Sequence, residues 1–369
     1  MLLPTTYKAV IISGTKTAVS TVSLPNYDSN SLVIKVKAAA GNPTDWKHVA
    51  YGLGPQGSII GCDVAGEVVA LGEDAAKSFK LGDSVSSFVH GSSVLHPENG
   101  AFAEYAILDS KLAVKYDSLR LAGEDVPFGK VETFEGAASV SVSLFTAGVA
   151  LIHHLAVKGV PKELGKTTVN SPLLVWGGAT GVGQMFIQVA KIFGSYESII
   201  AVASKKHELY LKSLGADVVI DYHDSDCIEQ IKKYANDSIA YAVDCVSNGD
   251  SGSNVNKAVS DTKPAKILGL SGISSIPPEE IKSSVALDVL LLYHATGWEL
   301  PLGAHIIPAS PETREAAISF KEWVGPLLAR GEIKHNRIKY VPGGLEAVQG
   351  LLDDIRDGKV SGEKLVIDV

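Results

Sequence analysis

The stretch LLVWGGATGVG at residues 173–183 decides the fold, because a short apolar run passes directly into a glycine-rich turn. Four apolar residues in a row predict a buried parallel strand. Glycines let the backbone turn sharply and approach an anion, and the amides that open the next helix point at negative charge. Apolar residues at helical spacing run to Phe193, Gly194 suits a left-handed helix end, and the apolar run 199–203 adds a second strand. This strand-helix-strand unit predicts a dinucleotide site.

The glycine order in this turn is G-x-x-G-x-G, because the common G-x-G-x-x-G spacing would need a glycine at Phe186. By itself the motif also fits a plain tight turn in an α/β domain. The strand before it and the helix and strand after it favour pyrophosphate binding. We therefore expect the cofactor to contact the turn residues Gly178, Ala179, Thr180, Gly181, Val182 and Gly183.

The end of the second strand indicates which cofactor is bound. An NAD site places Asp or Glu there for the ribose 2′-hydroxyl, whereas an NADP site needs hydroxyls and cations around a 2′-phosphate. Here Ser204, Lys205 and Lys206 follow the strand, and the first carboxylate is Glu208. These residues predict NADPH, the alternative being that the lysines are merely solvated. Lysines at a helix start oppose the helix dipole, which favours a bound anion.

The composition is that of a globular enzyme, with 369 residues, 46% hydrophobic residues and a net charge of −8. The negative charge and the lack of a long basic run argue against nucleic acid and anionic membranes as partners. Cys62, Cys227 and Cys245 are scattered and odd in number, which favours a reducing compartment over a disulfide framework. No secretory pattern or apolar run of transmembrane length is visible, so we expect a cytoplasmic protein.

The distribution of strands and helices predicts two domains of an α/β protein. Residues 1–135 are rich in short strands and glycines and lack long helices, which indicates a compact, mostly β domain. Residues 136–309 alternate apolar strands with helical segments, which predicts a Rossmann doubly wound parallel sheet. Residues 310–369 add two helices and a closing strand, and we expect this tail to complete the N-terminal domain.

Four further motifs extend the pattern over nearly the whole chain: NPTDWK at 42–47, GCDVAG at 61–66, LGAD at 214–217 and GKVSGEK at 358–364. Together with the glycine turn they resemble the medium-chain dehydrogenase/reductase superfamily. The resemblance is strongest to its zinc-free quinone oxidoreductases and to the fungal group of alcohol dehydrogenase-like proteins and trans-acting enoyl reductases. It implies a GroES-like N-terminal domain beside the Rossmann domain.

The resemblance also implies cofactor contacts outside the glycine turn. These would be made by Pro43, Thr44, Trp46, Tyr222, Leu268, Gly269, Val360 and Ser361. Tyr222 would stack near the adenine, as in the resembling family, the alternative being a tyrosine at the rim of the site.

Zinc-dependent members of the superfamily differ from this sequence at their ligand positions. The stretch that matches 42–45 begins with Cys in those members and the stretch that matches 61–63 carries His-Glu, whereas here Asn42 and Cys62 stand there. Residues 85–102 contain no cysteine, so the lobe that binds a structural zinc is missing. Asp63, His90 and His96 could ligate a metal, but isolated loop histidines are mostly surface residues. We expect no metal site and interpret Cys62 as a small buried hydrophobe.

Without a metal, a reductase must place the nicotinamide hydride against the acceptor and supply a polar donor to the developing oxyanion. Lys47 and Asp45 follow the Asn42-Pro43 turn, where the resembling family lines the nicotinamide end of the site, and Tyr51 is near in sequence. These three are the candidate catalytic residues. Asp45 and Lys47 fit a salt-bridged helix start equally well, and the cofactor ribose could be the donor instead.

The sequence therefore predicts zinc-independent, NADPH-dependent reduction of small apolar aldehydes, enones or quinones. Trp46, Tyr51, Phe145 and the loop 293–298 predict an apolar substrate lining, although Phe145 also fits a core position. The alternatives are a trans-acting enoyl reductase of a polyketide pathway and an NADPH-binding sensor that has lost turnover. The resemblance implies a homodimer, which the apolar run 285–293 supports indirectly.

Overall fold

A computed structural model describes residues 3–270, 276–302 and 305–369. The chain forms two compact units, Met1–Val142 with Tyr293–Val369, and Ser143–Leu292. The first boundary lies after Val142, where the sequence suggested residue 135, and the second lies before Tyr293, where the sequence suggested residue 309. Local packing, described below, accounts for both positions.

The N-terminal part of the first unit consists mainly of strands. In chain order its elements are β1 (Thr6–Ser13), β2 (Lys16–Ser23), β3 (Ser31–Ala40), α1 (Pro43–Ala50), β4 (Asp63–Leu71), β5 (Ser84–Phe88), β6 (Tyr105–Asp109), β7 (Val114–Tyr116) and α2 (Phe134–Ala138). Helix α1 begins with Pro43, whose fixed φ suits a first helical position that needs no amide donor. Helix α2 packs against β3 and β4 and its small residues Ala137 and Ala138 are fully buried, so it belongs to the first unit.

The second unit alternates strands and helices. Its elements are α3 (Ser141–Val149), which begins at the boundary, β8 (Leu173–Trp176), α4 (Gly181–Phe193), β9 (Ile199–Val202), α5 (Glu208–Leu214), β10 (Val218–Ile220), α6 (Cys227–Ala235), β11 (Tyr241–Asp244), α7 (Ser251–Ala258), β12 (Ala265–Gly269) and β13 (Val285–Val289). The strands pair in the order β10-β9-β8-β11-β12-β13 and every pairing is parallel. This order is the predicted Rossmann doubly wound sheet.

The apolar runs that predicted this sheet are its buried strands. Every residue of β8 and β9 is buried, as expected where helices cover both faces of a parallel sheet. Helix α4 ends at Gly194 with a φ of +62°, the left-handed C-terminal residue that the sequence predicted. The segment Phe134–His154 is long and apolar enough to cross a membrane, but 89% of its most apolar window is buried inside the protein, as in a core helix.

The C-terminal stretch returns to the first unit. Its elements are β14 (Leu300–Leu302), β15 (His305–Ile307), α8 (Pro311–Arg330), β16 (Ile338–Tyr340), α9 (Val348–Arg356) and β17 (Lys364–Asp368). The main sheet of this unit has the order β16-β17-β3-β4-β5-β7, with β6 also paired to β3. Strand β17 runs antiparallel to β3, with Val366 opposite Ala40, so the closing strand brings its side chains beside α1 and β4.

Candidate functional site

The glycine turn after β8 is held by hydrogen bonds and by a contact that only glycine allows. Gly177 has a φ of +81°, in the left-handed region. The Thr180 hydroxyl donates to the Gly177 carbonyl oxygen at 2.8 Å and accepts the Gly183 amide at 3.0 Å, which caps α4. A Cβ on Gly183 would lie 2.3 Å from the Gly177 oxygen, so α4 can pack this closely on the turn only with glycine at position 183. The amides that open α4 suit a phosphate.

The turn lies where the strand order of the sheet reverses. Strand β8 pairs with β9 on one side and with β11 on the other, and in open parallel sheets ligands bind at the carboxyl ends of strands beside such a reversal. A Cβ on Gly178 would lie 3.0 Å from the Ala201 side chain, so the turn also sits close to β9. Leu268 and Gly269 are buried at the carboxyl end of β12, which pairs with β11. The glycine turn itself fits the pyrophosphate of a nicotinamide dinucleotide.

The residues after β9 include one engaged lysine and one exposed lysine. The Lys205 Nζ lies 2.8 Å from Glu208, and the Lys205 amide donates to Asp221 at 2.7 Å. Lys206 is exposed and forms no ion pair within the described part of the chain. Asp221 was not among the predicted residues, because an acid was expected at the end of the second strand of the unit and Asp221 follows the third, β10. Asp221 reaches Lys205 because β9 and β10 are paired.

Tyr222 follows Asp221 and is 51% exposed. Its ring centroid lies 4.0 Å from that of His223, whose Nδ1 lies 2.7 Å from Asp221. An exposed ring next in sequence to Asp221, which accepts the Lys205 amide, suits either a stacked base or a rim position, so the adenine contact stays a prediction.

In the first unit, a buried polar network fixes the start of α1. The Asn42 amide donates to Asp45 Oδ2 at 2.7 Å, which is one half of a capping box. The Asn42 side chain donates to Asp63 at 3.0 Å and accepts from Lys364 Nζ at 2.8 Å. Lys364 also forms an ion pair with Asp63, whose other oxygen accepts the Val142 amide at 2.7 Å. The network ties α1, β4 and β17 together, and the Val142 contact places the unit boundary after that residue.

Asp45, one of the three candidate catalytic residues, is 2% exposed, and its Oδ1 has no hydrogen-bond partner within the described residues. Burial raises the pKa of Asp45 to about 7, and the charge of Asp63 acts in the same direction. The Cys62 thiol, the Asn42 amide and Lys364 oppose this rise in pKa. A carboxyl group that titrates near neutral pH is typical of functional sites.

Beside Asp45 lies a chain of side chains that we call the hydroxyl cluster: Thr44, His48, Cys62, His90 and Tyr293. The Tyr293 hydroxyl lies 2.8 Å from Thr44 Oγ1 and 3.2 Å from Cys62 Sγ. Thr44 Oγ1 lies 3.3 Å from His48 Nδ1, and the His90 ring stacks on the Tyr293 ring with centroids 3.7 Å apart. These contacts explain why Tyr293 belongs to the first unit. Cys62 is 1% exposed, as expected of a buried hydrophobe, but its sulfur also contacts a hydroxyl.

The other two candidate catalytic residues gather around Trp46. The Lys47 Nζ lies 5.9 Å from the Trp46 ring centroid, and the Tyr51 ring meets the same indole edge-on at 5.6 Å. Tyr51 is 64% exposed, and partial burial lowers the pKa of Lys47. The structure therefore groups Lys47 and Tyr51 at Trp46 and places Asp45 in the buried network.

The remaining predicted residues of the first unit are spread over its surface and core. Pro43 and Ser361 are exposed, and Val360 packs against the hydrophobic core. In the second unit, Phe145 is fully buried, which favours the interpretation of this residue as core.

Metal ligation does not fit the residues at the Asn42 and Cys62 positions. Within the described ranges, no group of three or more His, Cys, Asp or Glu side chains could hold a metal ion. The Asn42 oxygen and the Asp63 carboxylate both contact the ammonium group of Lys364, which would repel a metal cation. The two histidines considered as ligands stack on aromatic rings instead, His90 on Tyr293 and His96 on Trp298.

His48, Tyr293 and Lys364 were not predicted to have polar roles. Tyr293 was expected only as apolar lining, and Lys364 served only as part of the GKVSGEK motif. Their contacts span 249 residues from Thr44 to Tyr293 and 322 residues from Asn42 to Lys364, so no local spacing marks them. The one available signal was a lysine at the start of an apolar closing strand.

Comparison with known proteins establishes the family. The family model for the alcohol dehydrogenase GroES-like domain matches residues 28–118, and that for zinc-binding dehydrogenases matches residues 181–292. An uncharacterised protein of Saccharomyces cerevisiae, YNL134C, is 45% identical over 99% of this chain and 98% of its own length. The chain belongs to the medium-chain dehydrogenase/reductase superfamily. It is an oxidoreductase of a family that binds a nicotinamide cofactor.

Two further comparisons place this medium-chain dehydrogenase/reductase among its relatives. Trans-enoyl reductase fsa3 of a Fusarium species is 33% identical over 94% of both chains. A quinone oxidoreductase of Pseudomonas syringae has the same fold, with a TM-score of 0.70, 19% identity and coverage of 98% of this chain and 100% of that chain. The resemblance stated from the sequence is confirmed, as is a fold with a GroES-like domain and a Rossmann sheet.

Proposed function

We propose that this protein is an NADPH-dependent, zinc-independent reductase of small apolar aldehydes, enones or quinones. The observation that carries the proposal is the glycine turn, where Gly183 packs on Gly177 so closely that a Cβ would lie 2.3 Å from its oxygen. The turn lies at the strand reversal that suits a dinucleotide. When bound, the nicotinamide supplies a hydride, and the residues of the chain hold the cofactor and hydrogen-bond the acceptor oxygen.

The preference for NADPH is supported by the side chains that follow β9. Ser204 and the exposed Lys206 offer a hydroxyl and a cation for a 2′-phosphate. Asp221, which accepts the Lys205 amide, has its two oxygens occupied by Lys205 and His223, so it is less suited to accept a bond from a 2′-hydroxyl. Titration of cofactor fluorescence should give a dissociation constant for NADPH at least about tenfold below that for NADH. Equal constants would contradict the preference.

Zinc independence is supported by the Asn42-Asp63-Lys364 network. A zinc site would need anionic or neutral donors free to converge on the metal, whereas two of these donors contact an ammonium group. Elemental analysis together with treatment by a chelator tests the proposal. Stoichiometric zinc, with activity lost to the chelator and restored by metal, would contradict it.

An apolar acceptor is supported by the aromatic side chains that the first unit leaves exposed. Tyr51 and Trp298 are 64% and 45% exposed, and the Tyr51 ring meets the Trp46 indole edge-on. Exposed aromatic surface of this kind suits small or aromatic uncharged molecules.

The deciding experiment is product analysis with NADPH and one enal, for example cinnamaldehyde, followed by a panel of aldehydes, enones and quinones. An allylic alcohol shows attack on the carbonyl, and a saturated aldehyde shows attack on the alkene. If NADPH binds but no acceptor is reduced, the reductase proposal fails and a nucleotide-binding sensor takes its place.

A second candidate is a trans-acting enoyl reductase of a polyketide pathway. The observation that favours it is the 33% identity over 94% of the chain to trans-enoyl reductase fsa3. An enoyl thioester linked to a carrier protein should then be reduced with a kcat/KM at least about tenfold above that of the free thioester. Equal values would favour the small-molecule reductase.

We also propose a homodimer. Strand β13 ends the parallel sheet, and in the described residues it pairs only with β12. Leu287 and Val289 lie on one face of this edge strand and are 37% and 38% exposed, which leaves apolar surface that a second copy could cover. Light scattering at micromolar concentration tests the proposal, and the mass of a monomer would contradict it.

A further inference from the structure

The Tyr293 hydroxyl has two polar neighbours within the first unit, and they differ in strength. Thr44 Oγ1 at 2.8 Å is a good hydrogen-bond partner, whereas Cys62 Sγ at 3.2 Å is a sulfur atom and a weak acceptor. The ring is held in place by stacking on His90, with 13° between the two planes. The hydroxyl group therefore has a fixed position, and of its two contacts the one with sulfur is the easier for a ligand oxygen to replace.

The direction of the hydrogen bonds in the hydroxyl cluster follows from His48. Its Nδ1 lies 2.8 Å from the Thr44 carbonyl oxygen, which can only accept, so Nδ1 carries the hydrogen. The same N–H faces Thr44 Oγ1 at 3.3 Å, which makes that oxygen the acceptor on this side. The Thr44 hydroxyl hydrogen is then free to be donated to Tyr293. Tyr293 accepts from Thr44, and its own hydrogen is left to the Cys62 sulfur or to a ligand.

The protonation states agree with this direction. Burial raises the pKa of Tyr293 well above its usual value, and the neighbouring Cys62 and Asp45 act in the same direction. Burial lowers the pKa of His48, and that of His90 to about 3. Both histidines are therefore neutral, and Tyr293 keeps its hydrogen over the whole range in which the protein would work.

We propose that Tyr293 is the proton donor to the oxygen of the acceptor, with Thr44 and His48 as positioning residues. The inference rests on the proposed reductase function. As hydride reaches the carbonyl carbon, the electrons of the C=O π bond move to oxygen, and this oxygen takes the Tyr293 proton to give the alcohol. Tyr293 is then reprotonated through the Thr44 hydroxyl, which donates its hydrogen to the phenolate oxygen as it accepts a proton from solvent water. In a conjugated enone the hydride goes to the β carbon, and the same tyrosine protonates the enolate oxygen.

The test compares Tyr293→Phe with wild-type protein and with Tyr27→Phe, a control at an exposed tyrosine of the same unit. Phenylalanine keeps the ring that stacks on His90, so the variant should fold and bind NADPH with an unchanged dissociation constant. General acid catalysis contributes about 10²–10⁴-fold, so we expect kcat for an aldehyde to fall by about 100-fold or more. Tyr27→Phe should retain the wild-type rate.

The pH profile separates proton donation from a structural role. In wild-type protein, kcat should change little from about pH 6 to 9, because Tyr293 stays protonated over this range and the ionisation of Asp45, with a pKa of about 7, only strengthens its hold on the proton. In Tyr293→Phe the proton must come from the solvent, so the residual rate should fall as pH rises. Thr44→Val should lower kcat less than Tyr293→Phe, and Thr44→Ser should restore it. A Tyr293→Phe rate within threefold of wild type, or a larger loss in Lys47→Met, would overturn the assignment.

Binding of an unreactive carbonyl compound gives a readout that does not depend on turnover. Benzamide presents a carbonyl oxygen of similar shape to an aromatic aldehyde, and with NADPH bound it should bind about tenfold more weakly to Tyr293→Phe. If wild-type protein reduces aldehydes and both benzamide affinity and rate are unchanged in Tyr293→Phe, the assignment fails and the reductase function stands. If wild-type protein reduces no acceptor, the reductase function fails and the assignment fails with it.

Discussion

The glycine turn of the second unit and the hydroxyl cluster of the first unit are built in opposite ways. The turn is made by backbone atoms within residues 173–183, and its key contact joins Gly183 to Gly177, six positions away. The cluster is made by side chains from distant parts of the chain, with Tyr293 reaching residues 231 and 249 positions away. A backbone site needs particular glycines, whereas a side-chain site needs the whole unit to be folded. The two regions should therefore respond differently to mutation.

The largest effect is expected from Lys364→Met, which tests whether long-range contacts hold the first unit together at this site. The variant would leave the Asp63 carboxylate buried without its cation, and an unpaired buried charge costs about 3–5 kcal/mol. Chemical unfolding should show a loss of this size in the free energy of unfolding. Lys37→Met is the matched control, since Lys37 pairs with half-exposed Glu67 at 3.2 Å, and it should cost less than about 1 kcal/mol.

Adding Asp63→Asn to Lys364→Met sharpens this test. The double variant removes the buried charge along with its partner, so it should be more stable than Lys364→Met alone. A Lys364→Met protein as stable as the Lys37→Met control would show that the network is not what fixes the start of α1.

Gly183→Ala tests the local character of the turn and should have the next largest effect. The added Cβ would meet the Gly177 oxygen at 2.3 Å, and a backbone clash of this kind costs about 1–3 kcal/mol. Because the cofactor phosphate would bind at the same place, NADPH affinity should fall about 100-fold or more. Gly350→Ala in α9 is the control, since Gly350 is exposed and its Cβ would meet nothing within 4 Å, and it should be neutral or slightly stabilising. Equal NADPH affinity in the two variants would contradict the assignment of the turn.

The sequence could predict the turn because all of its determinants are local. An apolar strand, glycines at 178, 181 and 183 and a helix that ends at Gly194 follow one another within 22 residues, and the parallel sheet follows from the alternation of such units. The domain boundaries were harder to place, because they depend on what α2 and Tyr293 pack against. Composition changes near residue 135, but α2 is buried against β3 and β4 of the first unit.

The sequence could not predict the hydroxyl cluster, because nothing local distinguishes Tyr293 from other aromatic residues in an apolar loop. The NPTDWK motif pointed to α1, and it contains Thr44 and Asp45, whose side chains lie in or beside the cluster. It could not show that Asp45 is buried and Tyr51 exposed, since both follow from how α1 lies on the sheet. Side-chain sites assembled from several segments become visible only in the folded structure.

Asp45→Asn tests the electrostatics of the buried network, with an expected effect of about 2 kcal/mol. Because burial raises the pKa of Asp45 to about 7, the folded protein holds its proton more tightly than the unfolded chain. Ionisation of Asp45 should therefore lower stability progressively as pH rises from about 4 to about 7. One pKa unit corresponds to about 1.36 kcal/mol, and relaxation of the site reduces the full effect of the shift.

The free energy of unfolding of Asp45→Asn minus that of wild-type protein should accordingly be larger at pH 8 than at pH 4.5, as measured by urea unfolding at both values. The asparagine oxygen can still accept the Asn42 amide, so the capping contact is retained. Asp125→Asn, at an exposed loop position, should show no such difference. A constant difference across this pH range would mean that Asp45 titrates at its usual pKa.

The smallest effect is expected from substitution of the two lysines after β9, which differ in whether a carboxylate is paired with them. Lys205 is engaged by Glu208 at 2.8 Å, whereas Lys206 is exposed and forms no ion pair within the described residues. A lysine without a partner can turn to a 2′-phosphate without breaking a bond, so Lys206→Ala should weaken NADPH binding about tenfold and leave NADH binding unchanged. Lys205→Ala should weaken it less, because the cation of Lys205 is already neutralised by Glu208.

Fluorescence titration at two salt concentrations measures the effect of each substitution on the dissociation constants. Added salt should reduce the ratio of the NADH constant to the NADPH constant in wild-type protein but not in Lys206→Ala. Lys233→Ala, at an exposed position on α6, controls for the loss of a positive charge from the second unit. If Lys205→Ala has the larger effect, the ion pair with Glu208 opens on binding, and the cofactor site is less preorganised than the glycine turn beside it. If neither substitution changes NADPH affinity, other residues must set the cofactor preference. Local sequence would then account for binding of the pyrophosphate but not for recognition of the 2′-phosphate.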